Sequence, residues 1–430
     1  MWIRNKKRLY YRKCKATSDN RMGGLKNSPF IFTCVVSEDK FIIGIIKRVN
    51  MVKNGIDCVD RWHKVLDGKR LGLITSISGV DCHLNSTIDI LHKKYRLTAL
   101  FGPEHGVRGN VGAGGNVEDY IDKDTGLPVY SLYRKNSKRL TREMLDQVDA
   151  VVYDIQDIGV RYYTFISTMI YAMEECTRYG KELIILDRYN PLGDLAEGNC
   201  LKPGFESFVG TYHLCMRYGL TVGELALMVN EEKNLGCRLT VIPCEGWNRY
   251  TMHPETGHVW VMPSSGIPRY ETALVYAGTC LFEGTNISEG RGTTAPFEII
   301  GAPFVDAGKL VKRMTEKRLP GVLFSPAYFT PCFSKFKGEA CEGIHIHVTD
   351  SRAFRSTVCG LELLDAIKTI YEDRFAFLDH YEGSTRRMED LLFGSDQLTK
   401  KTASKDELLA GFERDSKAFS ERKKAYHLYK

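Results

Sequence analysis

No stretch of this 430-residue chain is apolar for long enough to cross a bilayer as a helix. The longest runs near its start, residues 30–36 and 41–46, fall short of the ~18 residues a span needs. No C-x-x-C pair occurs among the 13 cysteines, so zinc-ribbon and disulfide-framework spacings are missing. There is no G-x-x-x-x-G-K-[ST] phosphate loop and no G-x-S-x-G nucleophile elbow. No period recurs, which excludes solenoids and propellers. The basic start is not followed by an apolar h-region, so a secretory signal is not predicted.

What is present is the composition of a globular protein, 43% hydrophobic and 11% aromatic. At ~100–200 residues per domain, the length allows two domains with a real core. The net charge of +7 is uneven: residues 1–50 hold 12 Lys/Arg against 3 Asp/Glu, and the other 380 carry 48 against 50. A near-neutral body gives no case for nucleic acid or an anionic membrane as partner. Patterned sequence begins at Met51, so residues 1–50 are expected to be a poorly ordered basic extension or an upstream misreading of the start. Cysteines such as Cys176 and Cys280 lie inside apolar runs, where a free thiol packs as a small hydrophobe. With an odd total, they point to a reducing, cytoplasmic setting.

Four segments share a short apolar strand followed by a polar loop: residues 70–75, 97–101, 150–155 and 183–187. Strands apolar throughout are buried on both faces, which means a parallel sheet covered by helices. Helices are expected after Ser86, over residues 165–178 with Gly180 as stop, and over 221–230; a further strand is expected at 239–243. The pattern is that of an open, doubly wound α/β domain, followed from about residue 285 by an α+β or α/β region. Ligands in such sheets bind at the carboxyl ends of the strands. The loops there carry Ser76 to Gly79, Gly102-Pro103-Glu104-His105-Gly106, Gln156 to Arg161, and Arg188-Tyr189-Asn190-Pro191.

Glu104 and His105, on a Gly/Pro-bounded turn after a buried strand, are the sharpest local signal. Partial desolvation raises a carboxyl pKa and suits it to donate a proton; the plainer alternative is an ion pair with Arg108. Asp154, Gln156, Asp157 and Arg161 cluster at the third strand's end, where a structural Asp–Arg pair is the competing reading. Glu289 and Arg291 flank Gly290 in an irregular loop over residues 284–294; such loops tend to be functional, although loop-stabilising ion pairing fits too. His345 and His347 have the i, i+2 spacing of zinc sites but lack a clear third ligand, so no metal is expected. Gly106, Gly109, Gly112, Gly114 and Gly115 do not spell G-x-G-x-x-G, and no cofactor is expected.

Taken together, five stretches resemble the signatures of one family. They are Phe101-Gly102-Pro103-Glu104-His105-Gly106, the run from Asp154 to Arg161, Leu186-Asp187-Arg188-Tyr189-Asn190-Pro191, the run from Glu283 to Thr294, and Phe329-Thr330-Pro331-Cys332-Phe333-Ser334-Lys335. The family is that of exo-acting β-N-acetylmuramidases of peptidoglycan recycling, long catalogued as a domain of unknown function. The resemblance runs from about Asn54 to the C-terminus. It implies a Rossmann-like domain over residues 54–285, a smaller domain over 286–430 completing a cleft, and a peptidoglycan-derived sugar as substrate. It implies release of N-acetylmuramic acid from non-reducing ends, with Glu104 as the family's favoured catalytic residue. His105 and Asp157 are the accompanying catalytic candidates. Asp154, Gln156, Arg161, Asp187, Arg188 and Asn190 are expected to bind substrate, as are Asn286, Glu289 and Arg291, the last gripping the lactyl carboxylate. The second catalytic group stays open between Asp157, Asp154, Glu289 and the substrate's own N-acetyl group. Two stretches depart from the family's habit: Ser76-Ile77-Ser78-Gly79 in place of Asn-Pro-Thr-Gly, and residues 263–268 in place of Pro-Ser-Pro-Asn-Met-Pro. Competing classes are a nucleotide- or NAD-using α/β enzyme, a muropeptide-binding protein without catalysis, and a zinc hydrolase.

Overall fold

Strands apolar on both faces set the architecture. A computed structural model of the chain describes residues 30–37, 40–47, 51–109, 112, 115, 118–380 and 384–430. Contacts divide the chain into two units, Met1–Asn50 and Met51–Lys430. In the first, β1 (Phe30–Ser37) and β2 (Lys40–Lys47) form an antiparallel hairpin, with Phe30 opposite Lys47. The rest of the expected basic extension lies outside the described residues, as does Gly114 of the glycine cluster.

The second unit opens with β3 (Leu71–Thr75), β4 (Leu97–Gly102), β5 (Tyr120–Ile121), β6 (Pro128–Ser131), β7 (Ala150–Asp154) and β8 (Glu182–Leu186). A hairpin of β9 (Glu197–Cys200) and β10 (Cys215–Arg217) follows, then β11 (Arg238–Ile242). The main sheet runs β11-β8-β7-β3-β4-β6-β5, all parallel except the short edge strand β5. Numbering its six parallel strands in chain order gives 3-2-1-4-5-6, the order of a dinucleotide-binding Rossmann fold, with the switch point between β3 and β7. Side chains alternate across it. Leu71, Leu73, Val152 and Ile184 enter the core on one face, and Val151, Tyr153, Leu183 and Ile185 enter the core on the other. Each such buried side chain contributes roughly 1.5–3 kcal/mol.

The helix Phe165–Arg178 buries Ile166, Met169, Ile170, Met173 and Cys176, the stripe its sequence spacing predicts. Gly180, two residues past its end, takes the left-handed backbone that stops it. Ser86 caps Thr87–Lys94 by accepting from the Ile88 amide at 3.2 Å, and Thr221 with Glu224 forms a capping box on Val222–Glu232.

The C-terminal part is smaller and antiparallel: β12 (Ile299–Ala302), β13 (Val322–Phe329) and β14 (Cys341–Val348) in the order β12-β14-β13. Its helix Ser356–Ile370 packs on Tyr270–Thr279 at a crossing where Gly278 and Gly360 leave no room for a Cβ. Among the described residues no helix is long and apolar enough to cross a membrane.

Candidate active site

Where β4 ends, the chain turns sharply at Pro103 to Gly106, the Gly106 amide donating to the Pro103 carbonyl at 2.9 Å. His105 has φ +72°, a left-handed backbone uncommon for a residue with a Cβ. Such strain costs on the order of 1–3 kcal/mol and persists only where the surroundings enforce it. Here the ring is buried and meets Phe165 edge-on, centroids 6.4 Å apart. Glu104 is half-buried, and its Oε2 accepts from the Thr164 hydroxyl at 2.8 Å. Arg108, the ion-pair alternative, is bound instead to Asp122 at 2.9 and 3.1 Å.

Glu104 and His105 open onto a cavity of about 950 Å³. One wall comes from the segment after β6, with Tyr133 and Lys138, and another from Tyr162, Tyr163 and Thr164 ahead of the helix Phe165–Arg178. Ser264, Glu283, Arg291, Phe297 and Phe333 close it from the side of the smaller sheet. The size fits the usual range of small-molecule sites, roughly 300–1,000 Å³.

Sequence reading missed Tyr163. Burial pushes its phenol well above the usual tyrosine value; the Ser264 hydroxyl and Arg291 oppose this, while Asp157 and Glu104 add to it. Tyr163 shares the cavity wall with Glu104 and Arg291. Its position two residues after Arg161, in the loop leaving β7, was the available signal. Asp157 itself does not line the cavity: it is buried, with Oδ2 accepting from the Gly159 amide at 2.6 Å and from the Tyr218 hydroxyl. Among the described residues its Oδ1 has no hydrogen-bond partner. Burial drives this carboxyl up to about 7, although Tyr218 and Gly159 favour its charged form.

The remaining expected residues separate from the cavity. Asp154 forms a buried fork with Arg188 at 2.6 and 2.8 Å and also accepts from Thr87. The structural Asp–Arg pair anticipated at this strand end thus exists, with Arg188 in place of Arg161. Arg161 is fully buried and donates to the carbonyls of Asn199, Leu214, Leu392 and Phe393 at 2.8–3.0 Å. Asp187 accepts from Thr221 at 2.7 Å and from the Gly223 amide at 2.8 Å. Asn190 ties Leu192 to Leu220, and Asn286 ties Arg374 to Ala376. Gln156 holds the carbonyls of Asp157 and Tyr189 at 2.8 and 3.0 Å.

The expected convergence at one sheet edge is therefore split in two. The crevice at the switch point between β3 and β7 is almost filled by side chains, leaving about 30 Å³ among Ser78, Gln156, Arg188, Tyr189 and His253. No room remains there for a dinucleotide. The large cavity lies beside the end of β4 instead. Of the two departures from family habit, Ser78 belongs to the filled crevice, whereas Ser264 to Gly266 form cavity wall.

The irregular loop is held by a balanced quartet. Arg291 donates from Nε and Nη2 to Glu283 Oε1 at 2.9 and 2.6 Å, and Glu289 lies 3.6 Å from its Nε. Lys335 Nζ reaches Glu289 at 2.9 Å and the carbonyls of Phe282 and Ile287 at 2.7 and 3.0 Å. Gly290, at φ +76°, allows the turn between Glu289 and Arg291, since a Cβ would lie 2.7 Å from the Ile299 carbonyl oxygen. Burial works against the Arg291 charge, and Glu283 outweighs it.

With this geometry in hand, likeness to known proteins decides the family. The description "Exo-beta-N-acetylmuramidase NamZ, N-terminal" matches residues 71–271, and its C-terminal counterpart matches residues 274–429. The chain belongs to this family. It is 44% identical over 385 residues to the peptidoglycan beta-N-acetylmuramidase NamZ of Bacillus subtilis, covering 88% of this chain and 91% of that protein. Two crystal structures of DUF1343 family proteins from Bacteroides fragilis share the fold. One has TM-score 0.80 and 39% identity over 88% of this chain and 99% of its own. The other has TM-score 0.66 and 29% identity over 89% and 99%.

Proposed function

We propose that this protein is an exo-acting glycoside hydrolase that releases β-1,4-linked N-acetylmuramic acid from the non-reducing ends of peptidoglycan fragments. Family membership supports the activity. The observation that carries the chemistry is Glu104, half-buried and hydrogen-bonded to Thr164 at the wall of the large cavity. Protonated Glu104 gives its proton to the glycosidic oxygen as the bond to C1 breaks. His105, next to it on the same wall, hydrogen-bonds the sugar beside the reacting bond.

The second group is the substrate's own N-acetyl oxygen, which attacks C1. Of the protein alternatives, Asp154 is consumed by Arg188, Glu289 by Lys335 and Arg291, and Asp157 is enclosed; none of the three lines the cavity. Glu283 is on the wall but holds Arg291, and Glu206 is at the exposed rim. The Tyr163 hydroxyl, on the cavity wall, holds the acetamido group. Water then opens the cyclic intermediate at C1, giving its proton to the Glu104 carboxylate.

Two measurements test this reading. Glu104→Gln is expected to lower turnover of an unactivated disaccharide by about 10²–10⁴-fold, the range of general acid catalysis. Proton NMR of the first product is expected to give the β-anomer. An α-anomer would overturn the N-acetyl route, and near-wild-type turnover of Glu104→Gln would overturn the acid.

A further inference from the structure

The six ionised side chains on the cavity wall do not present their charge equally. Glu104, Glu206 and Glu283 are the acids; Lys138, Arg291 and Arg386 are the bases. Arg291 and Lys335 are matched by Glu283 and Glu289, so that quartet has no surplus positive charge. The Arg386 guanidinium lies 3.8 Å from the ring centroid of Phe205, the residue before the rim residue Glu206, and among the described residues no carboxylate forms an ion pair with it. Lys138 meets two rings. Its Nζ lies 3.4 Å from the Tyr133 ring centroid and 5.0 Å from that of Phe208, and among the described residues no carboxylate forms an ion pair with it either. Burial lowers its pKa, and the charge of Glu104 opposes this.

We propose that Lys138 is the specificity-determining residue that binds the lactyl carboxylate of the muramic acid ring. The assignment rests on the muramidase reading above. The lactyl ether leaves C3, on the same ring as the C1 that must face Glu104. A sugar seated for proton transfer therefore carries its carboxylate along the wall that Lys138 shares with Glu104. Protonation of Glu104, which the first step requires, removes a charge offsetting Lys138, and the incoming carboxylate replaces it. Two aromatic rings strip water from the ammonium and fix its position, which strengthens attraction to an anion. A neutral sugar leaves that ammonium desolvated and unmatched, so the same residue selects against N-acetylglucosamine.

The experiment compares a chromogenic β-N-acetylmuramide with the same compound bearing a neutral lactyl methylamide. Wild-type enzyme is expected to favour the acid in kcat/KM by roughly 10–100-fold, the worth of a hydrogen bond to a charged group. Lys138→Met is expected to bring that ratio near one by raising KM for the acid alone, and Lys138→Arg to restore much of it. The ratio is internal to each variant, so partial loss of folded protein does not alter it. Inhibition constants of the wild-type protein for the free acid and its methylamide provide a second readout without any variant, with the acid again favoured. An unchanged ratio in Lys138→Met, or wild-type enzyme indifferent to the lactyl charge, overturns the proposal. A transfer of the selectivity loss to Arg291→Met or Arg386→Met does the same and names the replacement. Wild-type enzyme that cleaves neither compound rejects the muramidase reading itself.

Discussion

The Thr164 hydroxyl donates to Glu104 Oε2 at 2.8 Å, joining the residue just ahead of the helix Phe165–Arg178 to the turn that ends β4. Thr164 makes no side-chain cap on its own helix, so the hydroxyl serves Glu104 and not helix stability. Thr164→Val should lower kcat about 10-fold, the equivalent of one lost hydrogen bond at the catalytic carboxyl. Melting temperature should stay within 2 °C of wild type, a change of roughly 0.5–1 kcal/mol at most, and Thr164→Ser should keep most of the activity. Paired kinetics and thermal melts check this; a large stability loss with unchanged kcat per folded molecule would contradict it.

Asp157 and Asp187 give the protein a pH-dependent stability. Burial raises each carboxyl from 3.8 to about 7. A raised carboxyl pKa means that the folded state holds a proton the unfolded state has released. Stability therefore falls as pH rises from about 4 to about 7, by up to ~4 kcal/mol for each carboxyl. Asp157→Asn removes its own contribution, so the slope of unfolding free energy against pH in that window should change by about 1.4 kcal/mol per pH unit. Denaturant titrations at pH 5 and 7 measure it, and an unchanged slope would show that Asp157 is charged when folded.

The sheet was legible because its strands are apolar on both faces: residues 97–101 and 150–155 carry the pattern unaided, and β4 and β7 follow it. β6 was not, because Pro128–Ser131 is four residues long and alternates between half-buried and buried positions. The helix Tyr270–Thr279 was also missed; nine of its ten residues are buried, so it lacks the polar face that marks a helix. Glu104 and His105 stood out since Gly and Pro frame them at a strand end. Asp154, Asp187 and Arg161 attracted attention for the same polar chemistry that makes them good internal struts, and composition cannot tell a buried strut from a cavity wall. Lys138 gave no local signal, and Tyr163 none beyond its place in the loop leaving β7, because their importance comes from side chains distant in sequence.

Arg161 provides a direct test of that distinction. Its guanidinium ties Asn199 and Leu214, on the N-terminal side, to Leu392 and Phe393 at the end of the helix Met388–Phe393. A cation suits the carbonyl end of a helix, and removing it strands several buried carbonyls. Arg161→Met should cost ~2–4 kcal/mol, read as a lower denaturation midpoint. Since Arg161 is not on the cavity wall, KM of the folded fraction should stay within threefold. A tenfold rise in KM with unaltered stability would return Arg161 to the substrate site.

The histidine pair on β14 leads to a prediction about metal removal. His345 Nε2 lies 3.7 Å from Glu298 Oε2, a carboxylate that Arg269 also grips at 2.5 and 2.9 Å, while His347 shares a 2.8 Å hydrogen bond with Ser325. His253 bonds to Tyr189 at the filled crevice and His258 to the Val52 carbonyl, so neither completes a ligand set with the strand pair. Among the described residues no three His, Cys, Asp or Glu side chains group as a metal site. Dialysis against a chelator should leave kcat/KM within twofold, and added zinc should not raise it. His345→Gln should instead lower stability by ~1 kcal/mol through its lost contact with Glu298. Loss of activity on chelation, restored by stoichiometric zinc, would require a ligand set that these four histidines do not form.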